Sequence, residues 1–220
     1  MQFRELPNNR TMQRPSLDVD ELAVEALTFK DVFDANEVRV DGADCVGVIG
    51  EGRLSHVLVS VVNLAQSELG PLELFDARFE NVELSNGSWQ QVRGQRTEFL
   101  RCRGLGWRVG FEQATDVYLA GCQLDYAVIR VDKVKGLLVF DDCSFREAMI
   151  SGDLSNVIFS DCVLGTAEFD AIKAKGCDLR GSQIADARGL LTLRGATVDE
   201  QQAASAAMGI ASEAGLVVVA

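Results

Sequence analysis

Residues 152–186 divide into fives: GDLSN (152–156), VIFSD (157–161), CVLGT (162–166), AEFDA (167–171), IKAKG (172–176), CDLRG (177–181) and SQIAD (182–186). The third residue of each five is apolar, running Leu154, Phe159, Leu164, Phe169, Ala174, Leu179, Ile184. The first is small or branched, from Gly152 and Val157 to Cys177 and Ser182. An α-helix does not explain this spacing, because five residues rotate a helix by roughly 140° and the apolar positions would spiral around it. A straight strand does not either, because an odd period sends successive apolar residues to opposite faces. A chain that turns a corner every five residues does fit, with the first and third positions inward. Four such sides close a square coil, and stacked coils make a solenoid.

Segments such as CDLRG, CVLGT and SQIAD resemble the pentapeptide-repeat family, whose loose pattern is a small residue, Asp or Asn, Leu or Phe, then two variable residues. The resemblance covers nearly the whole chain. It implies a right-handed quadrilateral β-helix and leaves activity open.

Outside the central stretch the frame continues with small slips. The inward pairs Val38/Val40 and Ala43/Cys45 give way to Val57/Val59, Val62/Leu64 and Leu72/Leu74. The centres Phe79, Phe99, Leu119, Val139, Phe159 and Leu179 are expected to stack on one inner side, with a slip of one residue entering at Cys143/Phe145. The whole reads as an all-β solenoid of about eight coils spanning 29–198. Residues 1–15 read as a flexible N-terminal arm, and 16–28 as an N-terminal cap, either a short helix begun at Ser16 or an irregular first coil. Residues 199–220 read as a C-terminal helix stopped at Gly209, followed by a tail in which GLVVV forms one strand. The resemblance implies that such a helix caps the coil or mediates dimerisation.

A chain of 220 residues with 47% apolar side chains can fill one such core. Its net charge of −12 argues against nucleic acid or an anionic membrane as the primary partner. No apolar run is long enough to span a bilayer and the first residues lack a secretory h-region, so a cytoplasmic protein is expected. Cys102, Cys122, Cys143 and Cys162 recur at about one coil, which predicts a buried ladder of free thiols rather than a metal or redox centre. His56 is the only histidine, without a placed acid or nucleophile, so no catalytic, cofactor or metal residue is assigned and the chain is not expected to be an enzyme.

Charge suggests two candidate surfaces. Acids crowd 18–52, and Asp31, Asp34, Glu37, Asp41 and Asp44 form a candidate acidic interaction face, followed by an arginine-rich belt at 93–108. A spacing of twenty places Glu73, Arg93, Gln113, Lys133, Asp153 and Lys173 in one column of mixed sign. On the side centred on Phe79 to Leu179, the outward positions Leu100, Tyr118, Leu138, Phe140 and Ile158 form a candidate apolar strip. A symmetric homodimer is its expected use, with cover by the N-terminal arm, or a register shifted by one, as the alternatives. These features point to a rigid protein–protein interaction module or scaffold with an unidentified partner. The resemblance also implies a second reading, DNA mimicry directed at DNA gyrase. Duplex DNA carries one charge per ~1.7 Å, so a rod of roughly 38 Å would need about 22 net negative charges to match it. The chain carries a net of −12.

Overall fold

A computed structural model describes residues 2–6 and 9–219; the portions of the expected arm and tail at Met1, Pro7, Asn8 and Ala220 lie outside the described residues. The strands are β1 (Phe3–Leu6), β2 (Arg10–Gln13), β3 (Ala23–Val24), β4 (Asp31–Asn36) and β5 (Val38–Asp41). Four long strands follow: β6 (Ile49–Ser60), β7 (Glu68–Glu80), β8 (Ser88–Leu100) and β9 (Arg108–Ala120). The series closes with β10 (Val128–Val131), β11 (Leu138–Asp141), β12 (Met149–Asp153), β13 (Val157–Ser160) and β14 (Glu168–Lys173), before the helix α1 (Glu200–Glu213). From β3 to β14 every pairing is parallel, each strand lying on the one a turn earlier. The result is a β-solenoid of about seven turns.

Corners explain the fifth position. Asn156, Asp161, Gly176 and Gly181 end their fives, and all have positive φ, at 61°, 53°, 83° and 82°. At these corners one residue enters the left-handed region, which Gly enters freely and Asn and Asp enter with less strain than bulkier side chains. The long strands bend at such corners, with His56, Asp76, Arg96 and Asp116 at φ near 50° one above another.

Inside, the first and third residues of each side fill one continuous core. Phe79 and Phe99 stack with centroids 4.7 Å apart, and Phe140 stacks on Phe159 at 5.2 Å. Trp89 and Trp107 meet edge to face beside them. All six cysteines are buried free thiols, and those of Cys102, Cys122, Cys143 and Cys162 each approach carbonyl oxygens of the column of strands.

Four expectations change. Phe140, not Val139, occupies the aromatic column, because Ala114 pairs with Val134 at an offset of twenty whereas Val117 pairs with Leu138 at twenty-one. The extra residue therefore enters between Val134 and Leu138, before the aromatic side rather than after it. Where a flexible arm was expected, Phe3–Leu6 and Arg10–Gln13 pair antiparallel as a hairpin, β1 with β2. Of the two readings of 16–28 the irregular first coil holds and the helix does not: Ala23 and Glu25 donate their N–H groups to the carbonyls of Glu37 and Arg39 and cover the open edge. At the other end the helix passes through Gly209 and stops before Gly215 at φ 79°, and the tail forms no strand. Asp199 and Gln202 make a reciprocal capping box. Gln202 also donates its side-chain amide to the carbonyls of Leu179 and Ser182, which closes the last coil.

Phe99 is fully buried between Phe79 and Trp107, in a column held at a fixed spacing by the strands. Phe99→Ala should therefore lower unfolding free energy by about 3–5 kcal/mol, read as a shift in urea midpoint at unchanged m-value.

Candidate functional site

The hairpin β1–β2 lies as a second layer on the side built from Ala77–Glu80, Thr97–Leu100, Val117–Ala120, β11 and β13. Its strands pair only with each other, so side chains fasten it. Met12 is buried against Tyr118, Val139 and Ile158, with Leu6, Leu100, Ala120 and Leu137 packed around them. Beside this patch sits Glu98, only 1% exposed. Arg4 and Arg14 reach it from the hairpin at 3.0 Å and Arg78 reaches it from the coil below at 3.0 Å. Arg4 also lies 3.7 Å over the Tyr118 ring. Tyr118 donates its hydroxyl to Asp141.

Burial alone would raise the pKa of Glu98, but the hydrogen bonds from Arg14 and Arg4 and the charge of Arg78 hold it below the usual carboxylate range. The Arg14 guanidinium is stabilised in turn by its hydrogen bond to Glu98. For Tyr118, burial and then the bond to Asp141 push the phenol pKa up.

The corner column fastens the rest of the hairpin. Asp76 takes Arg96 through two bonds of 2.7 Å and accepts the Ser16 N–H at 2.9 Å. Asp116 accepts the N–H groups of Gln13 and Leu137. His56 lies 3.4 Å from Asp76, and its Nδ1 meets the Ser55 hydroxyl at 3.1 Å. Ser, His and Asp thus adjoin, but both Asp76 oxygens are engaged by Arg96 and the Ser55 side chain belongs to the buried set. The trio anchors a corner and the chain leaving the hairpin.

The candidate apolar strip is accordingly not a free surface. Leu138 and Phe140 point into the main core because of the early extra residue, while Tyr118 and Ile158 point outward and lie buried under Met12. Leu100 is half-buried at the edge. Val139, read from spacing as inward, is the outward member. The hairpin was the missed element; its one sequence signal is PNN at 7–9, residue types that favour turns, between two short stretches, FREL and RTMQ, that lack strand alternation.

The acids Asp31, Asp34, Glu37, Asp41 and Asp44 are all exposed but do not share one face. Asp31 and Asp34 lie on β4, Glu37 turns the corner at φ 58°, Asp41 ends β5, and Asp44 bridges to Asn63 on the next side. The acids therefore ring the first coil. Much of the arginine belt is neutralised locally, Arg93 by Glu112, Arg96 by Asp76 and Arg103 by Glu83.

A third surface lies at the C-terminal end. The helix α1 buries Gln202 and Ala206 and turns Ala203, Ala204, Ala207 and Met208 outward. Leu216, Val217 and Val219 of the tail are exposed as well.

The chain is a β-solenoid of stacked parallel coils. No family model matches the chain, and no curated protein matches it. Among solved structures, trypsin-treated QnrB1, a plasmid-mediated fluoroquinolone resistance protein, matches with TM-score 0.42 and 18% identity over 87% of this chain and 98% of its own. HetL, a pentapeptide-repeat protein involved in heterocyst differentiation regulation in the cyanobacterium Nostoc, matches with TM-score 0.29 and 15% identity over 74% of this chain and 86% of its own.

Removing Glu98 takes away the acceptor shared by the half-buried Arg4, Arg14 and Arg78, so Glu98→Ala should destabilise hairpin docking by about 1–3 kcal/mol. Trypsin should then cut after Arg4 and Arg10 faster than in the wild type, while circular dichroism of the solenoid is retained. A carboxyl whose folded pKa is depressed stabilises fully above its unfolded value of about 4.3 and loses that contribution as pH falls through the folded value. Amide protection of residues 2–16 should therefore fall below about pH 4, ahead of the solenoid strands, in hydrogen-exchange measurements.

Proposed function

We propose that this chain is a non-enzymatic, rigid interaction module that docks a protein partner through its C-terminal end. One contrast carries the reading. The hairpin seals the apolar strip on the side of the solenoid, whereas Met208, Leu216, Val217 and Val219 stand 62%, 64%, 88% and 83% exposed around α1. Large apolar side chains left uncovered at one end of the chain are of the kind that interfaces use. Six reduced thiols suit a cytoplasmic setting. A photo-cross-linking residue at Ala207, expressed in the native cell, should capture one discrete protein species. The same residue at Glu83, on another side, should not. Equal capture from both positions, or none from Ala207, rejects the proposal.

Binding to DNA gyrase by mimicry is the second reading, favoured by the solvent exposure of Asp31, Asp34, Glu37, Asp41 and Asp44. Mimicry needs a continuous negative field along the rod, and the side carrying Asp34 continues through Arg53, Glu73 and Arg93 in alternating sign. Purified protein is expected to leave gyrase supercoiling unchanged. Salt-sensitive inhibition that disappears on charge reversal at Asp34, Glu37, Asp41 and Asp44 would establish mimicry instead.

A further inference from the structure

The side between the Gly70/Gly152 corner and the His56–Asp116 corner carries one outward column along the solenoid. Strand register sets Asp34 against Arg53, Arg53 against Glu73, Glu73 against Arg93 and Arg93 against Gln113. The pairing of Ala114 with Val134 carries the column on to Lys133. Val134 and Leu154 face the core in successive coils, which sets Asp153 after Lys133, and Asp153 pairs with Lys173. In order the signs are minus, plus, minus, plus, neutral, plus, minus, plus.

These charges are little used within the chain. Among the described residues Asp34, Arg53, Glu73 and Lys133 make no ion pair, and all four are exposed. Lys173 reaches Asp153 only at 3.7 Å. Two further acids stand beside the column where the fourth and fifth inward residues are spaced wider, Glu112 and Asp132. They are held by Arg93 and Arg130.

The order of signs is complementary to its own reverse. When two copies lie face to face with their long axes antiparallel, Asp34 meets Lys173, Arg53 meets Asp153, Glu73 meets Lys133 and Arg93 meets Gln113 with Glu112 beside it. The two-fold axis repeats each contact, and no like charges face one another. A slip of one coil in one direction sets Asp34 on Asp153, Arg53 on Lys133 and Arg93 on its own copy. A slip in the other direction sets Arg53 on Lys173 and Glu73 on Asp153. In both neighbouring registers every contact between two charges is repulsive and only contacts of Gln113 are neutral, so the column selects a single alignment.

We infer that a second copy of this chain docks on this face, antiparallel and two-fold symmetric, through the column from Asp34 to Lys173. This deepens the interaction-module reading, on which it rests, by naming a partner and a surface apart from the C-terminal end. The column runs ~34 Å at ~4.8 Å per coil and the side is ~13 Å across at ~3.3 Å per residue. That is about 440 Å² per copy, about 900 Å² in total, the size of a weak and reversible contact. Closed two-fold pairing is the expected symmetry for a self-complementary patch.

Sedimentation equilibrium of the full chain at about 0.15 M salt, where repulsion between the net charges is screened beyond ~8 Å, should fit a monomer–dimer equilibrium. Asp34→Lys alone, or Lys173→Asp alone, places like charges together twice per dimer and should raise the dissociation constant at least about tenfold, a like-charge juxtaposition being strongly unfavourable. The combined Asp34→Lys and Lys173→Asp variant should recover most of the wild-type affinity. Both positions are exposed ends of the column, and circular dichroism checks that each variant retains its fold. A wild type that stays monomeric at millimolar concentration overturns the inference. So does a double variant no tighter than the single ones, or a dimer abolished by Met208→Glu and untouched by Asp34→Lys. Capture from Ala207 is read separately, so failure here leaves the proposal for the C-terminal end standing.

Discussion

A side of the coil has room for only two inward side chains, and everything else in this molecule follows from that limit. Neither residue can be large in every coil, so the core alternates aromatic and small columns: Phe79 on Phe99 along one inner edge, Cys102, Cys122 and Cys143 along the next. Parallel strands fix the spacing between coils, so a removed side chain leaves a space that its neighbours above and below cannot fill. Backbone hydrogen bonds join the coils along both the strands and the corners, which leaves the outward residues free to vary.

That freedom is where the chain's individuality lies. One outward side carries apolar residues, and the chain covers them with its own first residues, fastened by three arginines on a single buried carboxylate. Breaking any one of these contacts would strand charge in a poorly hydrated place, which makes the attachment cooperative. A second side carries alternating charges that find few partners within the chain. The C-terminal end carries an apolar helix face and tail that nothing in the chain covers. The result is a rod with one sealed side, one side of alternating charge and exposed apolar residues at its C-terminal end.

The corners tie local conformation to this surface. His56, Asp76, Arg96 and Asp116 share a left-handed backbone position, and the bends they form place Asp76 and Asp116 where the chain after the hairpin can bond to them. Backbone geometry and docking of the hairpin are thus set at the same residues. Asp76 also draws His56 and Arg96 to it, so the single histidine serves this corner.

The period of five, with Leu154, Phe159, Leu164 and their successors always third, determined the solenoid by itself, because only a chain turning a corner every five residues keeps those positions inside. The buried thiols, the closing helix and the charge column from Glu73 to Lys173 were legible for the same reason: repeat spacing translates directly into stacking. What the repeat could not decide was anything that departs from it. Whether Val139 or its neighbours Leu138 and Phe140 face inward depends on which corner absorbs one extra residue, and several corners have sequences able to do so. The three arginines that converge on Glu98 stand at positions 4, 14 and 78, separations no local pattern connects. The hairpin finds its place only once Tyr118, Val139 and Ile158 have been brought side by side by coils about twenty residues apart, so the cover of the apolar strip was decided by the tertiary structure alone.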